Sequence, residues 1–131
     1  MKINHIAIAV HDVEESAKVY KEALGSDSIL FETVPSEGVK IAIIPLENCT
    51  VELMQPTSKS SPIKKFLEKR GPGLHHIALE TPDIDGEVER MKGCGVQFLG
   101  SVRPGSAGTR VTFIHPKSLH GVLAELCSTS S

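Results

Sequence analysis

The chain has 131 residues, 14 Lys plus Arg against 16 Asp plus Glu, and a formal net charge of −2. That length suits one domain, or two small halves sharing a core, and should bury roughly two-thirds of the unfolded surface. No basic excess is available to neutralise phosphates, and with one Tyr and no Trp there is little to stack on bases, which argues against a nucleic-acid partner. No apolar run is long enough to span a bilayer, and no charged segment followed by an apolar core marks a secretory signal. Cys49, Cys94 and Cys127 are odd in number and form no CxxC pair. A disulfide framework or a thiolate zinc site is therefore not expected, and a reducing, cytoplasmic setting without a membrane partner is.

Residues 2–10 alternate as a strand does, with Ile6, Ile8 and Val10 on one side and His5, Ala7 and Ala9 on the other. Asp12 is the predicted N-cap of the next helix, and Glu15 completes a capping-box pattern. Val13, Ala17, Tyr20 and Leu24 follow at helical spacing, and Gly25 ends the helix. Short apolar segments at about 28–34, 38–45 and 49–55 suit strands. Ser61-Pro62 opens a short helix with proline at its first position, Gly71 closes it, and Ile63, Phe66 and Leu67 form its apolar side. Residues 74–80 read as a strand with Ile77 and Leu79 opposite His76, Ala78 and Glu80. Asp83 caps a helix carrying Ile84, Val88 and Met91 and ended by Gly93 or Gly95. Gly86 weakens that helix by about 1 kcal/mol relative to Ala. Strands are expected again at about 96–102, 109–115 and 121–127. The glycine-rich loop Pro104–Gly108 is expected to be mobile, and the polar tail Ser128–Ser131 to fray.

The order strand-helix-strand-strand-strand thus occurs twice. His5-Ile-Ala and His76-Ile-Ala are offset by 71 residues, as are Asp12 and Asp83. Val51-Glu52-Leu53 and Ala124-Glu125-Leu126 form a second echo. An internal duplication accounts for both, with one repeat at about 2–55, a bridge at about 56–73, and a second repeat at about 74–127, all within one domain spanning 1–131.

Each repeat contributes one His on its first strand and one Glu on its last, in runs otherwise expected to be buried. Glu52 shares a face with Met54, and Glu125 with Leu123 and Cys127. A buried carboxylate is costly unless it is paired or bound to a cation. His5, Glu52, His76 and Glu125 are therefore candidate ligands of one divalent metal. Two neutral imidazoles and two carboxylates balance a 2+ charge, and this nitrogen and oxygen set suits Co²⁺, Mn²⁺, Ni²⁺, Zn²⁺ or Fe²⁺. The plainer alternative is a hydrogen-bonded core histidine and a rim glutamate in each repeat.

Over about residues 3–127 the sequence resembles the vicinal oxygen chelate superfamily and, within it, the methylmalonyl-CoA epimerases. The resemblance is carried by His5-Ile-Ala-Ile-Ala-Val, Val51-Glu52-Leu53-Met54, Ser61-Pro62-Ile63 through Leu67, Gly73-Leu74-His75-His76-Ile77-Ala78, and Phe113-Ile114-His115-Pro116-Lys117-Ser118 leading to Gly121-Val122-Leu123-Ala124-Glu125-Leu126. It implies an α+β fold of two βαβββ modules forming a curved mixed sheet, a cup, with helices outside. It also implies a homodimer and a divalent metal, cobalt first, on His5, Glu52, His76 and Glu125. The implied reaction interconverts the (R) and (S) forms of methylmalonyl-CoA by proton transfer at C2 through a metal-stabilised enolate. Glu125 would be one base and Glu52 or a bound water the other. Lys117 and Ser118 are expected near the substrate, and Arg110 with the Gly105–Gly108 loop as a lid over it. His75 reads as structural; His11, His115 and His120 read as loop or surface residues. The chain departs from the family where some members carry a second catalytic Glu, since Gly38-Val39 is followed here by Lys40 and Ile41. A glyoxalase I-type lyase, with the same ligand types, is the alternative activity; the bridging helix and the His115–Ser118 run favour the epimerases.

Overall fold

In the computed structural model, which describes residues 1–129, strand β1 (Lys2–Ala9) alternates as its sequence does. His5, Ala7 and Ala9 are buried and Ile6 and Ile8 half-buried. The chain divides into two compact units, His5–His75 and Met1–Asn4 together with the chain from His76 onward. Each is an α+β module, and β1 opens in one and ends in the other.

In the His5–His75 unit, β1 is followed by α1 (Val13–Leu24), β2 (Leu30–Val34), β3 (Val39–Pro45), β4 (Thr50–Pro56) and α2 (Pro62–Arg70). Its strands lie in the order β2-β3-β4-β1, with β1 and β4 parallel and the other neighbours antiparallel. The two sheet faces are covered by different helices. Val13 and Ala17 of α1 pack with Val10, Ala42, Ile44, Val51 and Leu53, and Ile8 joins them. Ile63 and Leu67 of α2 pack on the opposite parity, against Ala9, Val39 and Ile41 with Met54. Asp12 caps α1 by accepting from the Glu14 and Glu15 N–H groups, both at 3.1 Å. The reciprocal half of the capping box is replaced: Glu15 faces Lys18 at 3.7 Å, and Gln55 of β4 accepts from the Val13 N–H at 2.9 Å. All three N–H groups of the first turn are thereby satisfied. Gly25, at φ +65°, closes the helix in the left-handed region. Ser61 and Gly71 bound α2 as the sequence predicts.

In the second unit, the start of β1 is followed by β5 (Gly73–Glu80), α3 (Ile84–Gly93), β6 (Arg103–Pro104), β7 (Arg110–Ile114) and β8 (Ala124–Ser128). Their order is β1-β5-β8-β7-β6, again with the first and last strands of the module, β5 and β8, parallel. Ile84 and Val88 of α3 pack on Leu126 with Leu79, Met91 and Phe98. Asp83 accepts from the Gly86 N–H at 3.1 Å, and its carboxylate occupies the space a side chain at Gly86 would need. The helix-weakening glycine thus admits the cap.

This module is less regular than its sequence suggests. Residues 97–99 run beside β7, through Leu99 N–H to Phe113 and His115 N–H to Gln97, both at 2.8 Å, with Phe98 opposite Ile114. Gly100, at φ +93°, then breaks the expected 96–102 strand. Pairing resumes with Arg103 opposite Val111, a register slip of two residues. The last strand begins at Ala124 rather than 121, because His120 and Gly121 turn the chain with φ of 56° and 100°. The glycine-rich loop forms a short 3₁₀ turn, Ser106–Gly108, beside which the Gly105 N–H bonds the Thr109 carbonyl at 2.8 Å. Ser128, expected to fray, is the buried last residue of β8; Ser130 and Ser131 lie outside the described residues. Among the described residues no helix is long and apolar enough to cross a membrane.

Replacing Asp12 by Ala should remove the one carboxylate oxygen that accepts from two N–H groups. The expected cost is about 1 kcal/mol, or about 3–5 °C in melting temperature for a chain of this size, measurable by thermal denaturation.

Candidate functional site

The two histidine–glutamate pairs are built by the same register. On the parallel strands β1 and β4, Glu52 stands opposite Ala7, so His5, two residues earlier, shares its face. The His5 Nδ1 to Glu52 Oε2 distance is 3.3 Å. On β5 and β8, Glu125 stands opposite Ala78 and His76 again lies two residues earlier. The His76 Nε2 to Glu125 Oε1 distance is 3.6 Å. All four residues are buried, at 5–9% exposure, and both alanines are completely so. A small side chain opposite each carboxylate leaves it room to turn toward its imidazole.

Bonds of about 2.0–2.2 Å to one ion place adjacent ligand atoms about 3.0–3.5 Å apart. Within each unit the spacing of imidazole nitrogen and carboxylate oxygen is close to that range. Cys127 lies on the same face as Glu125, but it packs as a small hydrophobe with Ala78 and Val111. The donors are therefore imidazole and carboxylate, and they fit a divalent cation.

The other expected site residues are placed differently. Lys117 is exposed on the 3₁₀ turn Pro116–Leu119, where its N–H donates to His115 Nδ1 at 3.1 Å. Ser118 Oγ accepts from the Gln97 N–H at 3.0 Å, tying the turn to the segment beside β7. Arg110 does not lie over the site face. It grips Asp85 of α3 through two hydrogen bonds of 2.9 and 3.2 Å. The reason is strand parity: Phe113, opposite Glu125, points to the site face, and Arg110, three residues away, points to the helix. The Phe113 ring meets His76 edge-on at 5.3 Å, a contact that alternation along β7 predicts once β7 is paired with β8. His75 packs edge-on against Phe66 of α2 at 5.0 Å. Hydrogen bonds from Arg110 hold the Asp85 carboxyl below its usual range and raise the guanidinium in turn.

Residues 4–113 match the Glyoxalase/Bleomycin resistance protein/Dioxygenase superfamily. Over 128 residues the chain is 41% identical to the ethylmalonyl-CoA/methylmalonyl-CoA epimerase of Cereibacter sphaeroides, covering 95% of this chain and 96% of that protein. The chain belongs to the methylmalonyl-CoA epimerase family. The mitochondrial methylmalonyl-CoA epimerase of Homo sapiens is 39% identical over 127 residues, which cover 95% of this chain and 72% of that protein. A methylmalonyl-CoA epimerase solved in complex with methylmalonyl-CoA and NH₄⁺ superposes with a TM-score of 0.92 at 35% identity, over 99% of this chain and 95% of that one. The epimerase fold thus spans both modules of this chain and the bridging helix between them.

Arg110→Ala should leave KM and turnover near the wild-type values, because its partner is Asp85 on the helix face. Its effect should appear in stability. A carboxyl whose pKa is lowered by folding contributes stability above its unfolded value of about 4, lost as pH falls through the lowered folded value. Urea melts from pH 7 to 3 should show the gap between wild type and Arg110→Ala closing below about pH 4.

Proposed function

We propose that this chain interconverts the (R) and (S) forms of methylmalonyl-CoA, with His5, Glu52, His76 and Glu125 together holding one divalent ion. The observation that carries the reading is the repeated register, Glu52 opposite Ala7 and Glu125 opposite Ala78, each with a buried histidine two residues earlier. That it recurs in a chain aligned nearly end to end with the epimerase of Cereibacter sphaeroides supports it. Two neutral imidazoles and two carboxylates match a 2+ charge; Co²⁺ is the ion proposed first, with Mn²⁺, Ni²⁺, Zn²⁺ and Fe²⁺ suited to the same donors. When bound, the ion supplies Lewis-acid stabilisation of the negative charge that develops on the thioester oxygen.

The chain's own residues move the proton. The hydrogen on C2 is acidified by the adjoining thioester carbonyl, into which the charge left on C2 is delocalised. Glu125 takes it from one face, and Glu52 or a water held there returns one to the other. Phe113 packs on the His76 ring and restricts its rotation beside Glu125. Lys117, exposed on its turn, is proposed to meet a phosphate of coenzyme A, and Ser118 to set the position of that turn. Family resemblance extends the proposal to a cytoplasmic homodimer.

Purified protein should contain about one divalent ion per chain by elemental analysis and lose activity on chelation, with recovery on adding the ion back. Glu125→Gln should lower racemisation of methylmalonyl-CoA by about 10²–10⁴-fold with an unchanged circular dichroism spectrum. Near-normal turnover in that variant would remove Glu125 from the reaction. A metal-loaded wild type that does not racemise the substrate would remove the reaction itself.

A further inference from the structure

In the first unit the face that carries the histidine–glutamate pair runs on into apolar side chains. Glu52 of β4 stands opposite Ile43 of β3, and Ile43 stands opposite Leu30 of β2. Residues directly opposite on antiparallel strands point to the same side of a sheet, with Cβ atoms about 4.5–5.5 Å apart. Glu52, Ile43 and Leu30 therefore form one row across three strands. Ile44 and Leu53, of the opposite parity, are completely buried and pack with α1. Ile43 leans on the cluster under α2 but is only half-buried, and Leu30 is 68% exposed. The other neighbours of Glu52 on this face differ in kind. His5 borders it at 3.3 Å, Ala7 opposite it on β1 is completely buried, Thr50 carries a hydroxyl, and Met54 packs with the α2 cluster. One flank of the carboxylate is thus an imidazole, and the other is apolar and partly open.

A group that exchanges the hydrogen on C2 must come within hydrogen-bond reach of that carbon, about 3 Å. The first carbon of the alkyl group on C2 is one bond farther, about 1.5 Å, so it falls inside the shell of side chains around Glu52. The other two substituents of C2, the thioester and the carboxylate, are polar and belong on the imidazole flank. The alkyl group gains by leaving water and belongs on the apolar one. Loss of the proton flattens C2, so the alkyl group keeps that flank in both mirror forms. We propose that Ile43 is the residue that sets specificity for the alkyl substituent: its side chain meets that group and limits its length, and Leu30 continues the strip for longer chains. The inference rests on the epimerase reading, with the proton exchanged at Glu52 or at a water it holds.

Malonyl-CoA, methylmalonyl-CoA, ethylmalonyl-CoA and butylmalonyl-CoA share the thioester, the carboxylate and every phosphate, and differ in the alkyl group alone. Racemisation and calorimetric titration with these ligands are read on the metal-loaded wild type, Ile43→Ala and Ile43→Phe. Ile43→Ala should raise kcat/KM for butylmalonyl-CoA relative to methylmalonyl-CoA by about tenfold or more. Ile43→Phe should lower the ratio of ethylmalonyl-CoA to methylmalonyl-CoA by about tenfold. Binding of malonyl-CoA, which has no alkyl group, should change less than about twofold in either variant. Ratios unchanged in both variants would overturn the proposal. So would an equal change for all four ligands, malonyl-CoA included, since disturbed packing around Glu52 gives that result. If the alanine variant fails to fold, Ile43→Val is read in its place for a smaller shift in the same direction. A wild type that racemises none of the ligands, yet shifts its alkyl preference in binding when Ile43 is replaced, would keep the apolar flank and discard the reaction. One that racemises methylmalonyl-CoA with ratios indifferent to residue 43 would keep the reaction and discard the flank.

Discussion

A carboxylate buried beside an imidazole is the constraint around which each unit is built. Desolvating Glu52 or Glu125 is costly, and the cost is tolerable only where a partner is held at fixed spacing. Parallel pairing of the first and last strand of each module provides that spacing. It sets Glu52 opposite Ala7 and Glu125 opposite Ala78, and the two-residue period of a strand brings the histidine onto the same face. A one-residue slip in either pairing would turn the glutamate toward the helix, where Leu53 and Leu126 now pack.

The same parity sorts the polar groups of the second unit between two faces. On the helix side of the second unit, Arg110 and Asp85 hold α3 to the start of β7. On the other side, His76, Glu125, Phe113 and Arg103 form a continuous run of contacts. Position along the strand matters as much as face. Without the two extra residues taken up at Gly100, Arg103 would stand opposite Thr109 rather than Val111, about 7 Å farther along the strand from Phe113 and out of reach of its ring.

The two modules differ where their partners differ. Ala9 in the first packs under α2, with Ile63 and Leu67. Its counterpart at the 71-residue offset is Glu80, which accepts from Asn4 Nδ2 at 2.7 Å and faces Lys2 at 3.6 Å. An alanine suits a position roofed by a helix; a carboxylate suits one bordered by a lysine and an amide. Both modules therefore hold a histidine–glutamate pair, while the positions beyond it differ.

Local chemistry was enough to read much of this from the chain. Alternation identified the faces of β1 and β5, side-chain oxygens at Asp12, Ser61 and Asp83 marked the helix starts, and the doubled His and Glu marked the pairs, because each signal depends on residues within a few positions of one another. The strand expected at 96–102 is interrupted, because apolar composition does not reveal that Gly100 takes a left-handed conformation, at φ +93°, and breaks the ladder. Arg103 and Arg110 look alike in sequence, flanking the same glycine-rich turn. Only the pairing of β6, β7 and β8 assigns one to Phe113 and the other to Asp85, since the partner of a side chain on a strand is set by residues distant in the chain and by a register that one glycine can shift.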